Sequence, residues 1–168
     1  MYAELLVLRL IHILGGVFWV GSAMFMMFFL GPALAKAGPS GGAVMSGLAA
    51  RKLFTWLPVS ALLTMLSGAR LMMIASGGDA HWFVHRVGHF YSVSAAFAVI
   101  AFLIGMVVSR PAMMRVGKLT QSAASDETSI ALITAEVAKL QKRAAIATAI
   151  AVVLLVLSAA GMAVARYL

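Results

Sequence analysis

The chain has 168 residues, 63% of them apolar and only 11% charged, with a mean hydropathy of +1.03. Such a composition excludes an ordinary water-soluble domain and points to an integral membrane protein. Cysteine is absent and the formal net charge is +8, which excludes disulfides, thiolate metal sites and haem attachment through Cys-x-x-Cys-His. The positive charge reads as topogenic and lipid-facing, with no support for nucleic-acid binding.

In chain order, the run from Leu10 to Ala35 contains no Lys, Arg, Asp or Glu and predicts a first transmembrane helix over 5–32. Its start lacks the basic region and small-residue cleavage site of a secretory signal, so it is expected to be retained. AKAGPSGGAVMSGLA then reads as a Gly- and Pro-containing turn region. Helix two is expected at 51–76, with Arg70 about one and a half turns before its end. ASGGDAHWF follows as a tight outer loop.

Helix three is expected at 84–109 and carries His89 near its start. The connection 111–140 has a polar, Ser- and Thr-rich middle, then Ile130, Ile133, Val137 and Leu140 spaced for one helix face. With Asp126 as its cap and Glu127 in the first turn, it predicts a cytoplasmic helical lead-in to helix four. This lead-in serves either as an interfacial cap on the bundle or as a docking surface. Helix four is expected at 141–166. Each span can cross a hydrocarbon layer of about 30 Å at about 1.5 Å per residue. The expected architecture is all-α: one transmembrane domain over 1–168, an antiparallel up-and-down four-helix bundle.

Nine cations, Lys36, Arg51, Lys52, Arg110, Arg115, Lys118, Lys139, Lys142 and Arg143, fall beside the first and third connections. Four, Arg9, Arg70, Arg86 and Arg166, fall at the opposite end. The positive-inside rule therefore predicts a multi-pass membrane protein with both termini on the non-cytoplasmic side.

Histidine in a spanning helix is a functional candidate by default. His12 is about seven residues into helix one and His89 about five into helix three, which places both roughly 8–10 Å into their helices. Two imidazoles at one depth suit the axial positions of a haem b iron in a bundle core. Gly15 and Gly16 would let backbones approach a flat group, Trp19 could pack at its edge, and Arg9, Arg70 and Arg86 could pair with its propionates. Each residue also has a plainer use: a backbone hydrogen bond for His12, helix packing for the glycines and Trp19, and snorkelling for Arg70. His81, His85 and His89 form an i, i+4, i+8 stripe if helix three begins early. That stripe climbs about 12 Å and cannot close one metal shell, so His81 and His85 stand apart as an outer pair for copper or zinc, for proton donation to a quinone, or for solvation.

The run LRLIHILGGVFWVGSAMF, followed by LGPAL, resembles the first helix of the copper-resistance D-like superfamily of small membrane proteins. That superfamily includes the haem-associated protoporphyrinogen oxidases of Gram-negative bacteria. The resemblance covers helix one through a His-x-x-Gly-Gly-x-x-Trp-x-Gly pattern and the other helices only by arrangement. It implies haem or copper association through His12, with His89 as counterpart. This chain lacks the Tyr-x-x-Arg-type stretch that usually follows in the oxidases, which weakens an assignment to porphyrin oxidation. Its methionines are explained by core packing more economically than by a copper ladder.

The leading expectation is a single-haem electron-transfer cytochrome exchanging electrons with quinol or a membrane partner. The alternatives are a protoporphyrinogen-oxidase-like haem enzyme, a copper-handling membrane protein and a cofactor-free accessory subunit. Membrane lipid is an expected partner throughout, and a homo-oligomer remains open.

Overall fold

The computed structural model describes residues 2–121 and 127–168 and is all-helical, with no strand among them. In chain order it contains α1 (Tyr2–Phe25), a π-helical turn (Met26–Leu30), α2 (Gly31–Lys36), α3 (Pro39–Ala50) and α4 (Leu53–Ser76). A 3₁₀ turn (Ala80–Phe83) leads to α5 (Arg86–Ile104), a second π-helical turn (Gly105–Ser109), α6 (Arg110–Gln121) and α7 (Glu127–Ala165). Four continuous helices, Tyr2–Lys36, Leu53–Ser76, Arg86–Thr120 and Ser129–Ala165, are long and apolar enough to cross a membrane.

Three elements differ from expectation. The stretch after Lys36, expected as a turn region, folds as α3 behind Gly38, whose φ of +56° breaks the chain direction and sets Pro39 at the helix start. Helix three does not stop at Ser109 but continues as α6. The lead-in is no separate helix either, because α7 runs for 39 residues, about 58 Å at 1.5 Å per residue. The expected cap Asp126 lies outside the described residues. Val137 and Leu140 from the expected apolar face pack with Ala112, Val116 and Ala144 in a small second core, while Ile130 is exposed.

Each π turn ends two residues before a proline. The Gly31 N–H bonds to the Met26 carbonyl and the Arg110 N–H to the Gly105 carbonyl, five residues back in each case. Pro32 and Pro111 follow at once; proline lacks an N–H and its ring collides with the carbonyl four residues earlier. Widening the preceding turn carries the helix past that conflict.

Packing is by pairs. α1 lies chiefly against α4 and α5 against α7, with smaller contacts of α4 on α5 and α1 on α7; among the described residues α1 and α5 share no substantial interface. Across that gap reaches Trp19, only 8% exposed, whose ring meets Phe102 edge-on with centroids 6.3 Å apart. Ala61, Ala98, Ala101, Ala151 and Leu155 complete this core. Small residues are thus inside, while Leu14, Leu66, Val107 and Val153 are exposed. This inside-small, outside-large order suits apolar surroundings, where close backbone approach replaces the hydrophobic effect as the source of packing.

Among the described residues six that bear hydroxyls are buried, Ser60, Thr64, Ser67 and Ser94 among them. Each of these four bonds a carbonyl three or four residues back in its own helix, so its polarity is satisfied without water. Such properties point to a multi-pass membrane protein.

Because Trp19 spans the gap between two helices that do not pack directly, its removal leaves a large void. Trp19→Ala is expected to destabilise the protein by about 3–5 kcal/mol, and Trp56→Ala, at a 58% exposed position, by far less. Thermal unfolding of both variants in the same detergent checks the difference.

Candidate functional site around His12

The site begins with the approach of α1 to α4. Ser60, Thr64 and Gly68 recur at i, i+4 and i+8 and line one face of α4. A Cβ at Gly15 would lie 2.6 Å from Thr64 Oγ1 and 3.3 Å from the Ser60 carbonyl oxygen, and one at Gly68 would lie 2.7 Å from His12 Cε1. Neither position admits a side chain without movement. The two glycines therefore set the helix separation, and the His12 ring occupies the notch above Gly68.

That notch fixes the ring's chemistry. His12 is half-buried and its Nδ1 stands 2.8 Å from the Thr64 carbonyl oxygen. A carbonyl can only accept, so Nδ1 carries the hydrogen and, in the neutral ring, Nε2 keeps the lone pair. Nε2 has no hydrogen-bond partner among the described residues, and no buried side-chain nitrogen there lacks one. Nε2 is therefore accessible. A ring held by one nitrogen on a backbone carbonyl, with the other free, is how ligating histidines are oriented. It is also how a histidine simply locks two helices together.

Toward the same end, Arg70 donates through Nε and Nη2 to Glu4 Oε1 at 3.0 and 2.7 Å. The side chains are 50% and 41% exposed, and such a pair is worth little, up to about 1 kcal/mol. Arg70 thus already has a carboxylate partner within the chain. Arg9 and Arg86 are exposed, with no ion pair among the described residues. Gly16 meets Thr64 more loosely, since a Cβ there would stand 3.6 Å from Thr64 Cγ2, an ordinary contact. Trp19 belongs to the core.

His89 lies in the first turns of α5 and is exposed. Along its own helix His12 is seven residues from Trp19, about 10 Å. His89 is nine residues from Ala98 and twelve from Ala101, the α5 members of the Trp19 core, or about 13–18 Å. His12 itself is turned onto α4. The fold does not pack the two imidazoles against each other.

The outer histidines form no continuous stripe. Asp79 caps the 3₁₀ turn by accepting from the His81 N–H at 2.8 Å, and His85 is extended, with φ −71° and ψ 154°, so the helical phase breaks between His81 and His89. His81 and His85 are exposed, and no group of three His, Cys, Asp or Glu fit to hold a metal ion occurs among the described residues. The same segment folds inward through Trp82, which stacks on Tyr91 at 6.2 Å over Gly88, where the backbone approach leaves no room for a Cβ.

A resemblance between the two halves of the chain accompanies this geometry. Arg9-Leu-Ile-His12 and Arg86-Val-Gly-His89 are both Arg-x-x-His. A proline follows His12 by 20 residues (12 to 32) and His89 by 22 (89 to 111), each behind a π turn. The shared pattern lies in α1 and α5, which pack chiefly on α4 and α7 respectively.

Comparison with family models, curated proteins and solved structures finds no match to this chain.

The hydrogen bond to the Thr64 carbonyl sets an expected tautomer. Nitrogen NMR of protein with labelled histidine should show His12 protonated at Nδ1 and bare at Nε2 at alkaline pH, with Gly68→Val abolishing that preference. A His12 signal protonated at Nε2 would contradict the site.

Proposed function

We propose that this protein is a haem b-binding membrane protein of the bacterial inner membrane, an electron-transfer cytochrome in which His12 would hold the haem iron through Nε2. The observation that carries the reading is the free, oriented Nε2 created by the bond from Nδ1 to the Thr64 carbonyl. When bound, the haem supplies reversible one-electron chemistry. The protein's part would be to hold and orient the group through His12, with Arg9, Arg86 and Arg70, the last already bonded to Glu4, as the cations available to pair with its carboxylates. His89 is the candidate second ligand, supported by the matching Arg-x-x-His in α5. Its exposure and its greater distance from the Trp19 core make it the less secured of the two.

In this reading the helices form an up-and-down bundle. Contacts of residue 4 with 70, 12 with 64 and 15 with 60 run in opposite senses along α1 and α4, as antiparallel neighbours require. The nine-to-four division of Lys and Arg supports termini on the non-cytoplasmic side, and the likeness of helix one to the copper-resistance D-like superfamily supports the role of His12. Quinol or a membrane redox partner is the proposed source of electrons.

A second reading has its own observation. The same His12 bond, with glycine-mediated packing on both sides of it, suffices to lock α1 to α4 in a cofactor-free accessory subunit.

Absorption spectra of detergent-purified protein expressed with ample haem, oxidised and dithionite-reduced, separate the two. The haem reading expects sharp reduced b-type bands, lost or converted to high spin in His12→Ala and shifted in His89→Ala, with iron and no copper by metal analysis. A featureless spectrum leaves the accessory reading, and copper without iron would overturn both.

A further inference from the structure

The surface between α5 and α7, on the half of the molecule away from the His12 site, carries a groove of about 510 Å³. Its walls are apolar, formed by Ile104 and Val108 on one side and Ile146 and Ile150 on the other, and its rim holds Lys139, Lys142 and Arg143. On α7 these positions fall at 139, 142, 143, 146 and 150, one helix face that changes from cationic to apolar along its axis. From Arg143 to Ala165 the helix has 23 residues (143 to 165), about 33 Å, close to the thickness of a hydrocarbon layer. The three cations therefore fall where that layer ends and the headgroups begin. No carboxylate lines the groove among the described residues, and Glu136, the acid a turn before it on α7, faces Arg115 at 4.0 Å.

We propose that this groove is a binding site for one anionic phospholipid, its phosphate held by Lys139, Lys142 and Arg143 and an acyl chain laid along Ile104, Val108, Ile146 and Ile150. Three cations on one face of α7 at the edge of the groove complement a headgroup with net negative charge, and a zwitterionic headgroup gains little from them. The apolar trough below distinguishes a lipid from free phosphate, which would leave it empty. The site rests on the membrane reading of the chain and is independent of haem.

Native mass spectrometry of the full chain, released from detergent containing equal amounts of dioleoylphosphatidylglycerol and dioleoylphosphatidylcholine, tests it. The wild type is expected to retain the glycerol lipid over the choline lipid by about tenfold or more. Lys139→Gln/Lys142→Gln/Arg143→Gln should lose that preference. Lys36→Gln/Arg51→Gln/Lys52→Gln, which removes the same charge from the other half, should keep it. No preference in the wild type, equal loss in both triple variants, or retention in both overturns the site. Should the first triple variant fold poorly by circular dichroism, thermal unfolding of wild type and Arg143→Gln with each lipid gives the same decision: phosphatidylglycerol alone must raise the wild-type midpoint, and more than it raises that of the variant. Resistance of the membrane-bound protein to carbonate extraction tests the membrane reading separately.

Discussion

The closeness of α1 to α4 at Gly15 and Gly68 is the constraint on which the rest depends. With a Cβ at either position the helices would separate, the His12 ring would leave its notch, and the 2.8 Å bond to the Thr64 carbonyl would be lost. The Ser and Thr side chains lining the same face return their hydroxyls to their own helix, so the interface is polar in composition but dry in its bonding. In apolar surroundings that is a sound way to join helices: nothing is gained by hiding leucine from lipid, and much is gained by contact area and satisfied donors.

From that interface the functional asymmetry follows. His12 is fixed in direction and tautomer by the backbone of a neighbouring helix, whereas His89 is exposed. Between α1 and α5 the bridge is Trp19 against Phe102, and it closes the middle of the molecule without drawing the two helices into contact. The hydrogen bond of His12 lies within the α1–α4 pair, so the nitrogen it leaves without a partner does not come at the expense of the Trp19 core. The cationic groove between α5 and α7 belongs to the opposite concern, the seating of the helices in their lipid.

Much of the fold was legible in the sequence because long stretches without charge have one physical interpretation, and all four spans followed from it. The stops were less legible. Pro111 reads as a helix end, yet a π turn lets the helix run through it, and Gly- and Pro-rich 38–42 reads as a loop, yet it opens α3 because Pro39 is tolerated at a first helical turn. His12 and Gly15 stood out in the sequence, but not their facing: which neighbour a helix turns toward depends on rotation about its axis, and the apolar surface on every side of helix one left that rotation unmarked. Glu4 as the partner of Arg70 was hidden for the same reason. The cationic groove was hidden because its walls come from two helices far apart in sequence.

The most direct test of the central claim is chemical rescue of the proposed ligand. In haem-loaded His12→Gly protein, imidazole should enter the space left by the ring and restore the low-spin spectrum of the wild type, while the same imidazole should leave wild-type protein unchanged. A His12→Gly variant that binds haem with the wild-type spectrum before any imidazole is added would contradict the account, and would make His12 a packing residue alone.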